Sequence, residues 1–259
     1  MPSITVTWLT IPPPQKPVLI NSEQMDLHQH YQQLYQNSLQ HINNNGNDID
    51  TLMNAPDDLR RGITLVVRPD AAILQNIQHM TDGLKALDPH QYYHPADDLH
   101  VTVMSIITCY SGFDLSMIHL PDYVSMIESC LLPSPDICIR FKGITLSPSC
   151  ILVQGFMEND TLTDIRQRLR TRFKRSSLQQ TIDQRYTIQT AHSTIVRFRQ
   201  PLANQSKILA YLEQYREHDF GCLHTRDISL LYNDWYHKQE IVQTLHRFRI
   251  PTPTANARQ

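Results

Sequence analysis

Leu99-His100-Val101-Thr102-Val103-Met104-Ser105-Ile106-Ile107 is dense in β-branched and apolar residues, which predicts a strand. Side chains alternate across a strand, so His100 and Thr102 share one face while Val101 and Val103 share the other. The segment from Tyr186 to Phe198 also reads as a strand, with His192 and Thr194 on one face and Ser193 and Ile195 on the other. Each histidine therefore has a hydroxyl beside it on a rigid element.

The surroundings of the two strands correspond. Before the first, Ile63 to Pro69 is a β-branched run stopped by proline. Asp70 can cap a helix whose Ile73, Ile77, Met80, Leu84 and Leu87 step by three and four, ending at Asp88-Pro89. Before the second, residues 137–144 and 150–156 read as a hairpin around Ser147-Pro148-Ser149. Thr161 opens a helix with Asp164 three residues on, a shortened capping box, and Leu162, Ile165, Leu169 and Phe173 form its apolar stripe. Strand, helix, strand thus occurs twice, each time closing on His-x-Thr. The expected fold is α+β: two pseudo-symmetric lobes of mainly antiparallel sheet, flanked by helices, around a central cleft. Lobes facing each other would aim both histidines and both threonines into that cleft.

The rest of the chain frames this repeat. Met25 to Ile42 reads as a helix, followed by a polar loop at Asn43 to Asn47. A helix around 202–215, a strand from Asp227 to Tyr232 and an amphipathic segment with Ile241, Leu245 and Phe248 complete it. Residues 1–24 carry Pro12-Pro13-Pro14 and no basic lead-in, a poor secretory signal and an extension of uncertain order. Met25 opens the first good pattern and is a candidate start of the native chain. Residues 25–250 are expected to form one bilobal domain, and 251–259 a loose tail.

Composition narrows the function. A chain of 259 residues with 41% hydrophobic and 19% charged residues can bury a sizeable core and is not a disordered polyelectrolyte. No stretch approaches the ~20 apolar residues that cross a bilayer, so no membrane association is expected. The net charge of −2 excludes a surface that traps long nucleic acid, so any anion site must be local. Cys109, Cys130, Cys138, Cys150 and Cys222 form no C-x-x-C pair and read as buried, reduced thiols of a cytoplasmic protein. The sequence has no P-loop, dinucleotide fingerprint or G-x-S-x-G motif.

A His-x-Thr tripeptide alone means little, because this composition gives about one by chance. Paired on matching strands, the two supply paired acid–base chemistry on an anion. With an ordinary pKa near ~6.5, one histidine can take a proton while another gives one. The threonine hydroxyls can donate to non-bridging oxygens. Which histidine is acid and which is base stays open.

Other candidates are secondary. Arg166, Arg168, Arg170, Arg172, Lys174 and Arg175 step around a helix and read as a solvated surface, with a phosphate-steering flank as the alternative. Arg197 and Arg199 have the wrong parity to join His192 if the strand is regular. Tyr92, Tyr93, Tyr110 and Trp235 can stack on a base, Tyr110 and Trp235 being the substrate-binding candidates. His90 and His94 lie four apart between Pro89 and Pro95, with no carboxylate or cysteine at metal-motif spacing, so neither a metal site nor a cofactor is expected.

The paired strands, the strand–helix lead into each and the ending Ile228-Ser229-Leu230-Leu231-Tyr232 resemble the two-histidine (2H) phosphoesterase superfamily. That superfamily includes 2′-5′ RNA ligase-like proteins and RNA cyclic phosphodiesterases. Its motif is His, a hydrophobic residue, Thr or Ser, a hydrophobic residue. His100-Val101-Thr102-Val103 fits fully, while His192-Ser193-Thr194-Ile195 departs at Ser193. The resemblance covers roughly residues 60–250. It implies a metal-independent phosphodiesterase acting on a 2′,3′-cyclic phosphate or another 2′-linked nucleotide or RNA end, with His100, Thr102, His192 and Thr194 as catalytic residues. Two rivals stay open: a nucleotide or RNA-end binding module without turnover, and a mutarotase-type sugar isomerase, which also needs one acid and one base.

Overall fold

The computed structural model describes residues 26–53 and 55–253; the extension 1–24 and the last six residues of the tail lie outside the described residues. Helices α1 (Leu27–Asn45), α2 (Ala71–Leu87), α3 (Leu120–Cys130), α4 (Thr161–Lys174) and α5 (Gln205–Glu213) surround two antiparallel sheets. The first sheet runs β3 (Val101–Ser111), β1 (Arg60–Val67), β8 (Asp227–Asn233), β9 (Gln243–Arg249). The second runs β2 (Tyr92–Tyr93), β6 (Ser193–Arg197), β5 (Cys150–Met157), β4 (Ile137–Ser147), β7 (Asp219–Thr225). The expected α+β, two-lobed architecture is present.

The lobes are less separate than a plain repeat implies. The C-terminal strands β8 and β9 complete the first sheet, and β2 from the first half borders the second. Helix α2 packs on β6 and β7, whereas α4 touches β3 and β4, so each half's helix covers strands of the other. Leu65, Ile77, Phe141, Leu169 and Phe220 belong to one continuous apolar cluster as a result. The cleft walls are therefore held against each other by shared packing.

Local rules account for most boundaries. Asp26 caps α1 by accepting from the His28 and Gln29 amides, and Gly46 ends it at φ 79°. Asp70 caps α2 through the Ile73 amide at 3.0 Å. At α4 the expected capping box does not form. Asp160 is the cap residue and makes no side-chain bond, while Asn159 Oδ1 accepts from the Thr161 amide at 3.3 Å. The amphipathic segment with Leu245 and Phe248 forms β9 from Gln243 on, paired to β8, while Ile241 lies in the turn before it. The strand expected over Tyr186–Phe198 is confined to Ser193–Arg197. The lead-in carbonyls of Ile188 and Thr190 are taken by Arg170 and Arg166 instead of a ladder. Among the described residues, no helix is long and apolar enough to cross a membrane. All five cysteines are free; Cys109 and Cys222 are half-buried and the other three buried.

Candidate active site

His100 immediately precedes β3 and His192 immediately precedes β6. With Thr102 and Thr194 they line one cavity of about 190 Å³. Thr64, Ser105, Thr108 and Thr181 add further hydroxyls to its wall. A third His-x-Thr, His79-Met80-Thr81, lies inside α2 with Met80 in the core, and plays no part.

Each histidine is oriented by a contact of different chemistry. His100 Nδ1 lies 2.7 Å from the Asp98 carbonyl, which can only accept, so Nδ1 carries a proton and Nε2 remains for the cavity. Arg68 braces that turn by donating to the carbonyls of Asp97 and Leu99. His192 Nδ1 lies 2.7 Å from Thr190 Oγ1, a hydroxyl that can give or take the proton. Behind His192, the backbone of Gly155 sits so close that an added Cβ would lie 1.9 Å from the Ala191 carbonyl oxygen; only glycine fits there. Tyr31 of α1 donates to the Gly155 carbonyl at 3.2 Å, so this helix buttresses the second motif.

Two bulges shape the cleft. Val66 pairs with Thr102 but Leu65 with Met104, so Val103 is an extra residue in β3. Ile151 pairs with Val196 but Leu152 with Thr194, which makes Ile195 extra in β6. Ile195 and Val196 are consequently both buried, and the alternation shifts by one. Arg197 thereby joins Thr194 on the cavity wall, against the parity of a regular strand.

Arg166 corrects the reading of the basic run as a solvated surface. It is 2% exposed and donates to the carbonyls of Val103 at 3.0 Å, Thr102 at 2.8 Å and Thr190 at 2.8 Å. The β3 bulge frees two successive carbonyls on an edge strand, and one guanidinium fork takes both. Its third bond reaches the residue that orients His192. Arg166 therefore ties the two motifs together from behind.

Four residues of the site lack a sequence signal specific to it: His94, Arg197, Tyr236 and His237 all line the cavity. The His237 ring lies 3.9 Å from that of His100, and its backbone holds φ 55°, rare for a non-glycine residue. The turn is secured by Asp234, whose carboxylate accepts from the Lys238 amide at 2.9 Å. The polar-aromatic run Asn233 to His237, directly after a strand, is the available hint. His90 is exposed and away from the cavity. Trp235 stands on the cavity wall, with Arg185 4.4 Å and Arg60 5.2 Å from its ring. Tyr110 does not line the cavity. It follows Cys109 on β3 and so faces the other way, its ring 5.6 Å from Phe113 and its hydroxyl accepting from Gln179.

Arg197, 3.6 Å from Asp50, and Arg185 share the cavity wall with Asp183, and burial together with nearby cations keeps its histidines neutral. Burial, opposed by the Asp98 carbonyl bond and aided by Arg68 and Arg197, holds His100 down at about 4. Burial, then Arg166 and His100, hold His192 at about 4. Burial with Arg197 and His100 pushes His94 to about 3, and His237 is also held far below ordinary imidazole, mainly by burial. At neutral pH the empty cleft therefore carries neutral histidines among fixed guanidinium charges, a setting that favours an anion.

Stability should depend on pH accordingly. The unfolded chain takes up protons on histidine near ~6.5, while the folded cleft resists until about 4. Acid between those values favours the unfolded state, by about 1.4 kcal/mol per pH unit for each histidine kept neutral. The urea midpoint should drop from pH 7 to pH 5 and recover in part with inorganic phosphate. A midpoint flat over that range would show histidines that titrate normally.

No family model matches the chain, and no curated protein matches it in sequence. Solved structures match in shape. The protein TT0787 of Thermus thermophilus aligns over 75% of this chain and 100% of its own, at 14% identity and a TM-score of 0.51. E. coli LigT complexed with 3′-AMP aligns over 74% of this chain and 99% of its own, at 12% identity and a TM-score of 0.49. A protein described as a phosphoesterase gives 13% identity over 74% of this chain and 99% of its own, with a TM-score of 0.49. With His100 and His192 lining one cleft and its two antiparallel sheets flanked by helices, the chain has the bilobal α+β fold of TT0787.

Proposed function

We propose that the cleft is a phosphodiesterase site that opens a 2′,3′-cyclic phosphate or cleaves another 2′-linked nucleotide or RNA end without a metal. The observation that carries this reading is the shared cavity wall of His100, Thr102, His192 and Thr194, with Arg197 beside them. One histidine, neutral, takes a proton from water. The other, protonated, gives one to the leaving alkoxide. The threonine hydroxyls donate to the non-bridging oxygens, and the guanidinium field of Arg197 stabilises charge that grows on phosphorus-bound oxygen. Trp235 at the wall offers a face for the base.

The charge field argues against the sugar-isomerase rival. A neutral sugar gains nothing from guanidinium groups that hold nearby histidines deprotonated, whereas an anion supplies the charge that restores their protons. Among the described residues, the one group of three side chains spaced to ligate a metal lies outside the cavity.

The test is turnover of a 2′,3′-cyclic nucleotide from pH 5 to 9, with and without EDTA. In the free protein the proton on the acid partner is the scarce species, so kcat/KM should rise as pH falls from 7 to 5, approaching about tenfold per unit. The bound anion raises both histidine pKa values, so the kcat optimum should sit at higher pH than that of kcat/KM. EDTA should change neither. Loss of activity to chelator with recovery on zinc would refute the metal-free step. Tight binding without turnover would establish the binding module, and mutarotation of glucose by polarimetry the isomerase.

A further inference from the structure

A second cluster of reactive side chains lies away from the cleft, on β4 and the edge strand β7. Cys138 pairs in register with His224, and Cys222 stands two residues back on β7 opposite Arg140. Directly opposed residues share a face of a sheet, and so do residues two apart, so all three side chains emerge on one side. Cys138 Sγ lies 3.5 Å from Cys222 Sγ and 3.8 Å from His224 Nε2, and the three ligand atoms all fall within 4.8 Å of one another.

We propose that Cys138, Cys222 and His224 form a zinc-binding site, with the fourth position left to solvent or an incoming ligand. Zinc binds thiolate at about 2.3 Å and imidazole at about 2.0–2.1 Å, so a tetrahedron has a sulfur–sulfur edge of about 3.8 Å and a sulfur–nitrogen edge of about 3.5 Å. The two Cys138 separations lie within ~0.3 Å of those edges and the third lies under 4.8 Å, so side-chain rotation of the exposed His224 closes the site. Two sulfurs and one imidazole are a donor set that suits zinc and disfavours magnesium or calcium. Cys138 is buried, Cys222 half-buried and His224 exposed, which gives the ion a path in and leaves its outer side open. Arg140 does not hold a free charge against the ion, because Glu158 and Asp219 accept from it at 2.8 and 2.9 Å. On binding, the two thiols release their protons to solvent and no electrons are transferred. The ion would clamp edge strand β7 onto β4.

Reduced, metal-free full-length protein titrated with Co²⁺ tests this. One equivalent should give sulfur-to-cobalt charge-transfer absorption with the visible bands of four-coordinate cobalt, bleached by one equivalent of Zn²⁺. Cys138→Ser and Cys222→Ser should each remove the charge-transfer intensity in large part, and His224→Ala should weaken binding at least tenfold. Cys130→Ala, outside the cluster with its thiol donating to the Met126 carbonyl, should leave the spectrum unchanged. Zinc should raise the Tm of the parent protein and not of the two serine variants, while hydrolysis of a cyclic nucleotide stays the same throughout. Cobalt binding weaker than ~100 μM, bands that survive both serine variants, or a Cys138–Cys222 disulfide in protein kept in reductant would overturn the assignment.

Discussion

His100→Ala and His192→Ala should each lower turnover of a 2′,3′-cyclic nucleotide by at least ~10²-fold, the usual scale for a positioned acid or base. Each ring has its Nδ1 held at 2.7 Å by its own partner, so the remaining nitrogen of each is the one offered to the cavity. Neither can replace the other, because each ring offers one nitrogen to the cavity, and a single nitrogen cannot accept and donate a proton in the same step. Thr102→Ala and Thr194→Ala should cost less, a few kcal/mol at most, since each removes one donor from a wall rich in hydroxyls. The alanine variants at both histidines should keep the circular dichroism spectrum of the parent. Full activity in either one, on folded protein, would count decisively against the acid–base pair.

Arg166→Met should lower unfolding free energy by about 3 kcal/mol or more and reduce activity as well. The change strands the carbonyls of Thr102, Val103 and Thr190, each of which costs about 1–3 kcal/mol when buried without a partner. Relief from burying a guanidinium offsets part of this, which is why the expected figure is below the plain sum. Burial lowers Arg166 only to about 10, so it remains charged at neutral pH and its loss also weakens the positive field on His192. Arg166→Lys should fall between, because an ammonium keeps the charge but not the fork that reaches both motifs. Urea unfolding at pH 7 measures the effect. A loss under about 1 kcal/mol would mean that water replaces the guanidinium and that the two motifs are not held through it.

Periodicity alone exposes the main strands, the α2 and α4 stripes and the two His-x-Thr strands, because those features depend only on neighbours in the chain. Edge elements are harder. In β7, Gly221 at φ 120° and Cys222 break the alternation between the core residues Phe220 and Leu223, so no clean strand pattern appears. The two bulges are illegible for a related reason. An extra residue in β3 or β6 is defined by the partner strand's register, which the sequence of one strand does not contain. That is why regular strand parity turns Arg197 away from a cavity wall on which it in fact lies.

The basic run of α4 shows the same division. Alternate arginines on a polar helix look solvated when only the helix is considered. Arg166 is buried because β3 lies against that face and presents carbonyls with no ladder partner. His94 and His237, more than a hundred residues apart, meet around His100 only once β8 has crossed into the first sheet and β2 into the second. By itself the sequence determined the α+β class and the pair of acid–base candidates, both set by local geometry. The shape of the cleft, its guanidinium field and the depressed histidine pKa values were decided by tertiary structure, because burial and charge proximity belong to the assembled chain and not to any one segment.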